Sequence, residues 1–335
     1  MSSTRKLLVS PSPHIHSGDS IEKNMYAVIL ALMPAWIVSI YYFGLDALWV
    51  TLTSIFACVI IEWFITRFML GKKKLTITDG SAILTGLLLA MNLPSSIPLW
   101  IVVVGALVAI GIGKMSYGGL GNNIFNPAIV GRVMLIISFP QQMTSYPPSR
   151  FAETAIDAVS APTPLGIAKG IIHGTNTMDQ MPSAIESLLG QTGGSFGEVS
   201  AIALLLGFIF LMIRKVVTWH TPVAIFVTAY IFGGIMHLVN PEIYIDPINH
   251  LLTGGMMLGA LYMATDYVTS PMSKGGMILF GFFIGLITML IRLFGSYPEG
   301  ISFAILFMNG ITPIINRYMT PRVFGDKAAK TPKVA

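Results

Sequence analysis

The stretch Asp157-Ala158-Val159-Ser160-Ala161-Pro162-Thr163-Pro164-Leu165 places a carboxylate and two hydroxyls in one polar segment of a mostly apolar chain. A phosphoester needs a hydroxyl, and Thr163 offers one. Pro162 and Pro164 fix φ at their own positions and bias Ala161 and Thr163 toward extended geometry. An extended, exposed strand is what a modifying enzyme can grip. The same residues also describe a proline-rich surface turn. Taken alone they leave both readings open.

A second set of polar residues lies within or beside apolar runs. Glu62 is near the end of one; burying an acid there is costly or forces protonation, which makes it a candidate for an ion path. A place near the membrane edge, solvated, is the alternative. Thr85, Asn92, Asn126 and Thr253 are candidates for an ion or flavin site, or for hydrogen bonds between helices. No spacing among the six histidines describes a metal site. The one cysteine, Cys58, excludes a disulfide within the chain and any all-cysteine cluster held by it alone. There is neither a GxGxxG strand–helix unit nor a phosphate loop. Electrons carried by this chain would need an organic cofactor, and NAD would have to bind elsewhere.

The elements that must hold these groups are membrane helices. The chain has 335 residues, 54% hydrophobic and 10% charged, with mean hydropathy +0.74; soluble domains average ~25% charged. Apolar runs cover 25–43, 48–69, 98–112, 200–213, 222–239, 276–291 and 301–315. Three more are short or interrupted: 82–91, the helix opened by Asn126-Pro127, and the glycine-rich 251–265. Asp79 lies near the start of the run at 82–91. That run is too short to span alone at ~1.5 Å per residue. The polar start shows no signal-peptide pattern, so the first run is expected to remain as an anchor.

Ten membrane segments result. With the N-terminus in the cytoplasm, all but Arg150, Lys169 and Arg292 of the 20 Lys and Arg fall at or near the cytoplasmic side. The net charge of +5 therefore follows topology and does not imply nucleic acid. Thr163 then lies outside, in the long polar loop 140–196. Residues 1–139 form a first membrane repeat, 197–318 a second, and 319–335 a basic cytoplasmic tail. Leu84-Thr85-Gly86 in the third segment recurs as Leu252-Thr253-Gly254 in the eighth. Five segments per half would make the halves inverted repeats, with polar backbone near the midplane.

Specific stretches join these features to a known family. They are Asp79-Gly80-Ser81-Ala82 with Thr85-Gly86, Asn92-Leu93-Pro94, Gly118-Gly119, Asn126-Pro127-Ala128 with Gly131-Arg132, Tyr262-Met263-Ala264-Thr265-Asp266, Thr269-Ser270-Pro271 and Asn309-Gly310. With Asp157, Ser160 and Thr163 spaced as Asp-x-x-Ser-Gly/Ala-x-Thr, the chain resembles RnfD, the D component of the Rnf electron-transport complex. That component is a relative of the B component of the sodium-pumping NADH:quinone reductase. The resemblance covers nearly the whole chain. It implies an all-α, urea-transporter-like membrane fold of the prokaryotic inner membrane. It implies membership of a ferredoxin:NAD⁺ oxidoreductase complex that pumps Na⁺ or H⁺, with the A, B, C, E and G components as partners.

The resemblance further implies FMN joined through its phosphate to Thr163 by a flavin transferase, with Asp157, Ser160, Ala161 and Pro162 read as the recognition motif. It suggests a second, non-covalent flavin (riboflavin). Thr85, Asn92, Asn126, Thr253, Asp266 and Glu62 are the candidates for that flavin or for the ion. Ala161 stands where the family usually has glycine, and its Cβ disfavours positive φ there. The rival reading is a urea- or ammonium-type solute channel on the same architecture.

Overall fold

The computed structural model describes residues 19–71, 77–147, 163–190, 193–198 and 200–320, and every regular element among them is helical. In chain order these are α1 (Ile21–Phe43), α2 (Leu45–Phe64), α3 (Ser81–Met91), α4 (Leu99–Leu107), α5 (Pro127–Ser138), α6 (Pro140–Met143) and α7 (Pro164–Ile172). Then follow α8 (Ala184–Leu189), α9 (Ala201–Ile213), α10 (His220–Val239), α11 (Pro247–Leu252), α12 (Met256–Leu258), α13 (Lys274–Phe294) and α14 (Ile301–Tyr318). Single π-helical turns extend α2 to Met69, α4 to Ile112 and α12 to Met263.

Five stretches among the described residues are long and apolar enough to cross a membrane: Ile21–Phe43, Leu45–Met69, Leu99–Tyr117, His220–Val239 and Lys274–Phe294. Large apolar side chains such as Leu30, Phe56, Ile60, Ile213 and Ile235 are exposed on them or on the shorter apolar helices. A surface this apolar belongs in lipid or against partners. The protein is a multi-pass membrane protein.

Helix ends follow local chemistry. Asn126 caps α5, accepting from the Ala128 amide at 3.1 Å, with Pro127 in the first turn. Asp246-Pro247 opens α11 in the same way. A short polar acceptor followed by proline satisfies an orphan amide while the proline's fixed φ suits the first turn. Ser183 and Glu186 form a reciprocal capping box on α8.

The helices pair in the same order on both sides of the molecule. α2 lies beside α3 and α4, and α4 beside α5; α10 lies beside α11 and α13, and α13 beside α14. The two groups meet where α1 contacts α9 and α5 contacts α14. The core is continuous across this junction, where the Tyr262 hydroxyl reaches the Ala31 carbonyl of α1 at 3.3 Å as well as the Leu204 carbonyl of α9 at 2.9 Å.

Two expectations need correction. The segment 140–196 is more than a loop, since it carries α6, α7 and α8. The two Leu-Thr-Gly triplets also differ in local structure. Thr85 and Gly86 lie inside α3, where Gly86 lets α2 approach so closely that a Cβ would stand 2.7 Å from the Ile55 Cα. Thr253 instead ends α11 in extended geometry, and Gly254 and Gly255 follow with φ of +65° and +68°. The interruption expected in 251–265 is thus present, but the triplet is the break itself.

Candidate functional sites at the two ends of α5

Thr163, the last residue of the motif, is described; Asp157, Ser160, Ala161 and Pro162 lie outside the described residues, as do Lys72, Lys73 and Lys74 and the tail from 321. Thr163 has the expected extended backbone (φ −73°, ψ 154°). It is not freely exposed: it is half-buried and caps α7, its Oγ1 accepting from the Gly166 amide at 3.1 Å. The Thr-Pro pair therefore starts a helix as Asn126-Pro127 does, a signal that the reading of an exposed strand passed over.

Thr163 lines a pocket with Tyr146, Tyr297, Glu299 and Phe303 among its walls. The Tyr297 and Phe303 rings lie 5.2 Å apart and tilted by 31°. Glu299 leads inward. It accepts from the Tyr146 hydroxyl at 3.3 Å and pairs with Arg132. Arg132, halfway along α5 and 1% exposed, also donates to the Asn92 carboxamide oxygen and meets Glu198 at 3.4 Å. Burial, then the Glu299 charge, raise the Glu198 carboxyl to about 7 against the pull of Arg132. Burial and Glu299 likewise lift the Tyr146 phenol well above its usual value.

The break between α11 and α12 sits against this network. Arg292, from α13, donates to the carbonyls of His250, Thr253 and Gly254 at 2.5, 2.9 and 2.9 Å, capping the buried C-terminal end of α11. Glu198 faces Gly255, where a Cβ would meet its Oε1 at 2.6 Å. A cation at a helix C-terminus and an anion at an N-terminus are the favourable arrangement. Positive φ and this close carboxylate together explain glycine at 255. Lys169 on α7 donates to the Gly295 carbonyl at 2.6 Å, and burial lowers its pKa.

The other end of α5 opens on a cleft lined by Asn24, Ser81, Thr85, Lys114, Asn126 and Asp266, with apolar neighbours including Leu88 and Tyr262. Lys114 donates to Glu62 and to the Ser81 hydroxyl, each at 2.6 Å, and Ser81 in turn bonds Asp79. The side chains of Lys114 and Glu62 are 2% and 0% exposed. Glu62 is therefore an internal ion pair and not a solvated edge residue. Lys114 and Arg132, counted in the sequence with the cytoplasmic charges, are both inside the bundle.

The structure thus brings Thr85, Asn126 and Asp266 to one cleft, with Glu62 behind it through Lys114. Asn92 belongs to the Arg132 network, one residue away: Met263 touches Asn92 through its sulfur at 3.5 Å and Asn126 through its carbonyl at 3.3 Å. Thr253 is apart from both, at the Arg292 cap. The expected meeting of Thr85, Asn92, Asn126 and Thr253 is accordingly divided among three places. Sequence reasoning gave no role to Lys114, Arg132, Glu198 or Glu299. A lone basic residue inside or just after an apolar run, as at 132 and 114, was the available signal.

An all-helical, multi-pass membrane protein with one interrupted helix, a pocket at a threonine-capped helix and a polar cleft at the other end of α5 is the class defined here. The chain belongs to the NQR2, RnfD, RnfE family, whose family model matches residues 8–325. It is 43% identical over 326 residues to the D subunit of the proton-translocating ferredoxin:NAD(+) oxidoreductase complex of Clostridium ljungdahlii, covering 95% of this chain and 96% of that one. It is 42% identical over 323 residues to the D subunit of the Na(+)-translocating ferredoxin:NAD(+) oxidoreductase complex of Acetobacterium woodii, covering 95% of each. Identity to the D subunit of the ion-translocating oxidoreductase complex of Stutzerimonas stutzeri is 36% over 338 residues, covering 94% of this chain and 95% of that relative.

Proposed function

We propose that this chain is the flavin-bearing membrane subunit of a ferredoxin:NAD⁺ oxidoreductase complex that pumps Na⁺ or H⁺, and that it relays electrons through FMN esterified by its phosphate to Thr163. Thr163 as the cap of α7, opening on an aromatic pocket, is the observation that carries the reading. A phosphate on its Oγ would sit at the N-terminus of α7, where unpaired amides and the helix dipole favour negative charge. Tyr297 and Phe303 offer apolar faces for a flat ring, and Glu299 in the same wall is balanced by Arg132. Bound there, FMN supplies one- and two-electron chemistry. The chain's own residues hold the phosphate, shape the ring's pocket and set its charge.

In this reading the Lys114 cleft takes the second, non-covalent flavin, with Thr85, Asn126 and Asp266 as its polar groups, or admits the ion. The chain has ten membrane segments in two inverted repeats; the matching order of α1–α5 and α9–α14, with α11 and α12 as one interrupted segment, supports that arrangement. Both termini are cytoplasmic and Thr163 is extracytoplasmic. The A, B, C, E and G components complete the complex, and a flavin transferase matures it in the inner membrane. A solute channel is disfavoured because Arg132 and Asn92 stand between the two cavities, which share no lining residue.

The test is in-gel fluorescence of the denatured chain co-expressed with a flavin transferase. A fluorescent band in the parent that is absent in Thr163→Val supports the reading. A dark parent, or a bright variant, overturns it.

A further inference from the structure

We propose that Glu198 and Glu299, sharing the Arg132 guanidinium, form a proton site that answers charge arriving in the Thr163 pocket, so that one of the two carboxylates is protonated when an electron is added there. The inference rests on the flavin reading above. Its ground is geometric. Both carboxylates reach the same nitrogen, Nη2 of Arg132, Glu299 as the closer partner and Glu198 at 3.4 Å. Glu299 also lines the pocket with Thr163. Two anions on one cation in a buried place cannot both be fully compensated, and such a pair pushes one carboxyl up in pKa. Burial first, and then the neighbouring Glu299 charge, put Glu198 at about 7.

The other charged groups facing the pair are already committed. Arg132, from α5, has its second terminal nitrogen on Asn92. Arg292, from α13, is close enough to act on Glu198 through charge, but its guanidinium is bonded to three carbonyls. Tyr146, following α6, already donates to Glu299. Lys169 is held by the Gly295 carbonyl. An added negative charge beside Glu299 therefore meets no uncommitted cation among these groups, and a carboxylate poised near neutrality is the group able to respond. The electron comes from a one-electron donor in a neighbouring subunit. The proton comes from a hydronium ion on the Thr163 side: one O–H bond breaks there, one forms on a carboxylate oxygen, and a water molecule is left. One electron and one proton enter, so the net charge is unchanged.

The test uses the intact complex, with a reductive titration of the covalent flavin at pH values from about 5.5 to about 8.5, which bracket Glu198 and lie above the ordinary carboxyl range. In the parent the midpoint potential falls as pH rises through neutrality, with a slope approaching ~59 mV per pH unit, the value of a tenfold change for one electron. Glu198→Gln or Glu299→Gln flattens that slope while covalent fluorescence is kept. Tyr146→Phe keeps the slope but moves it to higher pH, because the carboxylate loses a donor. Infrared difference spectra of the unmutated complex add a readout that needs no variant: reduction produces a protonated-carboxyl band. A slope unchanged in both Gln variants, or no carboxyl band in the parent, overturns the proposal while leaving the flavin reading intact. A chain without covalent flavin overturns both.

Discussion

The Thr163 pocket and the Lys114 cleft lie at opposite ends of α5, and each is backed by a buried cation, yet the two cations are matched differently. Lys114 meets one carboxylate and one hydroxyl. Arg132 meets two carboxylates and a carboxamide. In the first, a buried lysine faces a buried carboxylate, and loss of either member removes the other's opposite charge. The second has acid in excess, so its charge can change without leaving a cation alone. The lysine pair is suited to holding α2, α3 and the end of α4 together, and the arginine network to responding to what enters the pocket.

The largest effect expected is at Lys114. Lys114→Met leaves Glu62 buried without its cation and should cost ~3–5 kcal/mol, while Lys114→Met with Glu62→Leu should recover most of it. Thermal unfolding in detergent reads both. A double variant no more stable than the single would erase the contrast drawn between the two ends.

Gly255→Ala comes next. It combines strain at φ +68° with a Cβ 2.6 Å from a Glu198 oxygen, so it should cost on the order of 1–3 kcal/mol and disturb the Arg132 end alone. The same melting assay should show this loss reduced in a Glu198→Ala background, where the oxygen is gone.

Thr163→Val should abolish covalent flavin and lower stability by ~1 kcal/mol through the lost cap on α7. In-gel fluorescence and melting report the two effects separately. A melting point unchanged in flavin-free protein would show that Thr163 does not cap α7 in solution.

A pH dependence should also appear, confined to the arginine end. Glu198 is raised to about 7 from an ordinary 4.5, so the folded chain binds more protons than the unfolded chain between those values. Stability gained from this group is present at low pH and falls as pH rises through the window. Melting of flavin-free protein should show that decline, and Glu198→Gln should remove it. A decline of equal size in the variant would assign it elsewhere.

Much of the fold was legible because lipid imposes long apolar runs, and the interruptions at 92–94 and 253–255 show in Asn, Pro and Gly. The Asn126-Pro127 cap was legible for the same local reason. Thr163-Pro164 carries that signal too, but its prolines also fit an extended turn, and only the Gly166 amide decides between them. The ion networks were not legible. Glu62 and Lys114 are 52 residues apart, and Arg132 and Glu299 are 167 apart. No periodicity pairs residues across such distances. The Leu-Thr-Gly triplets misled because three residues do not fix backbone geometry: one continues a helix and the other breaks it.

The most direct test of the claim that this chain carries FMN on Thr163 is peptide mass spectrometry of the chain taken from its native complex. The expected result is an FMN phosphoester adduct on the peptide spanning the motif, with fragment ions placing it on Thr163. An unmodified Thr163, or an adduct on another hydroxyl of that peptide, would contradict the claim.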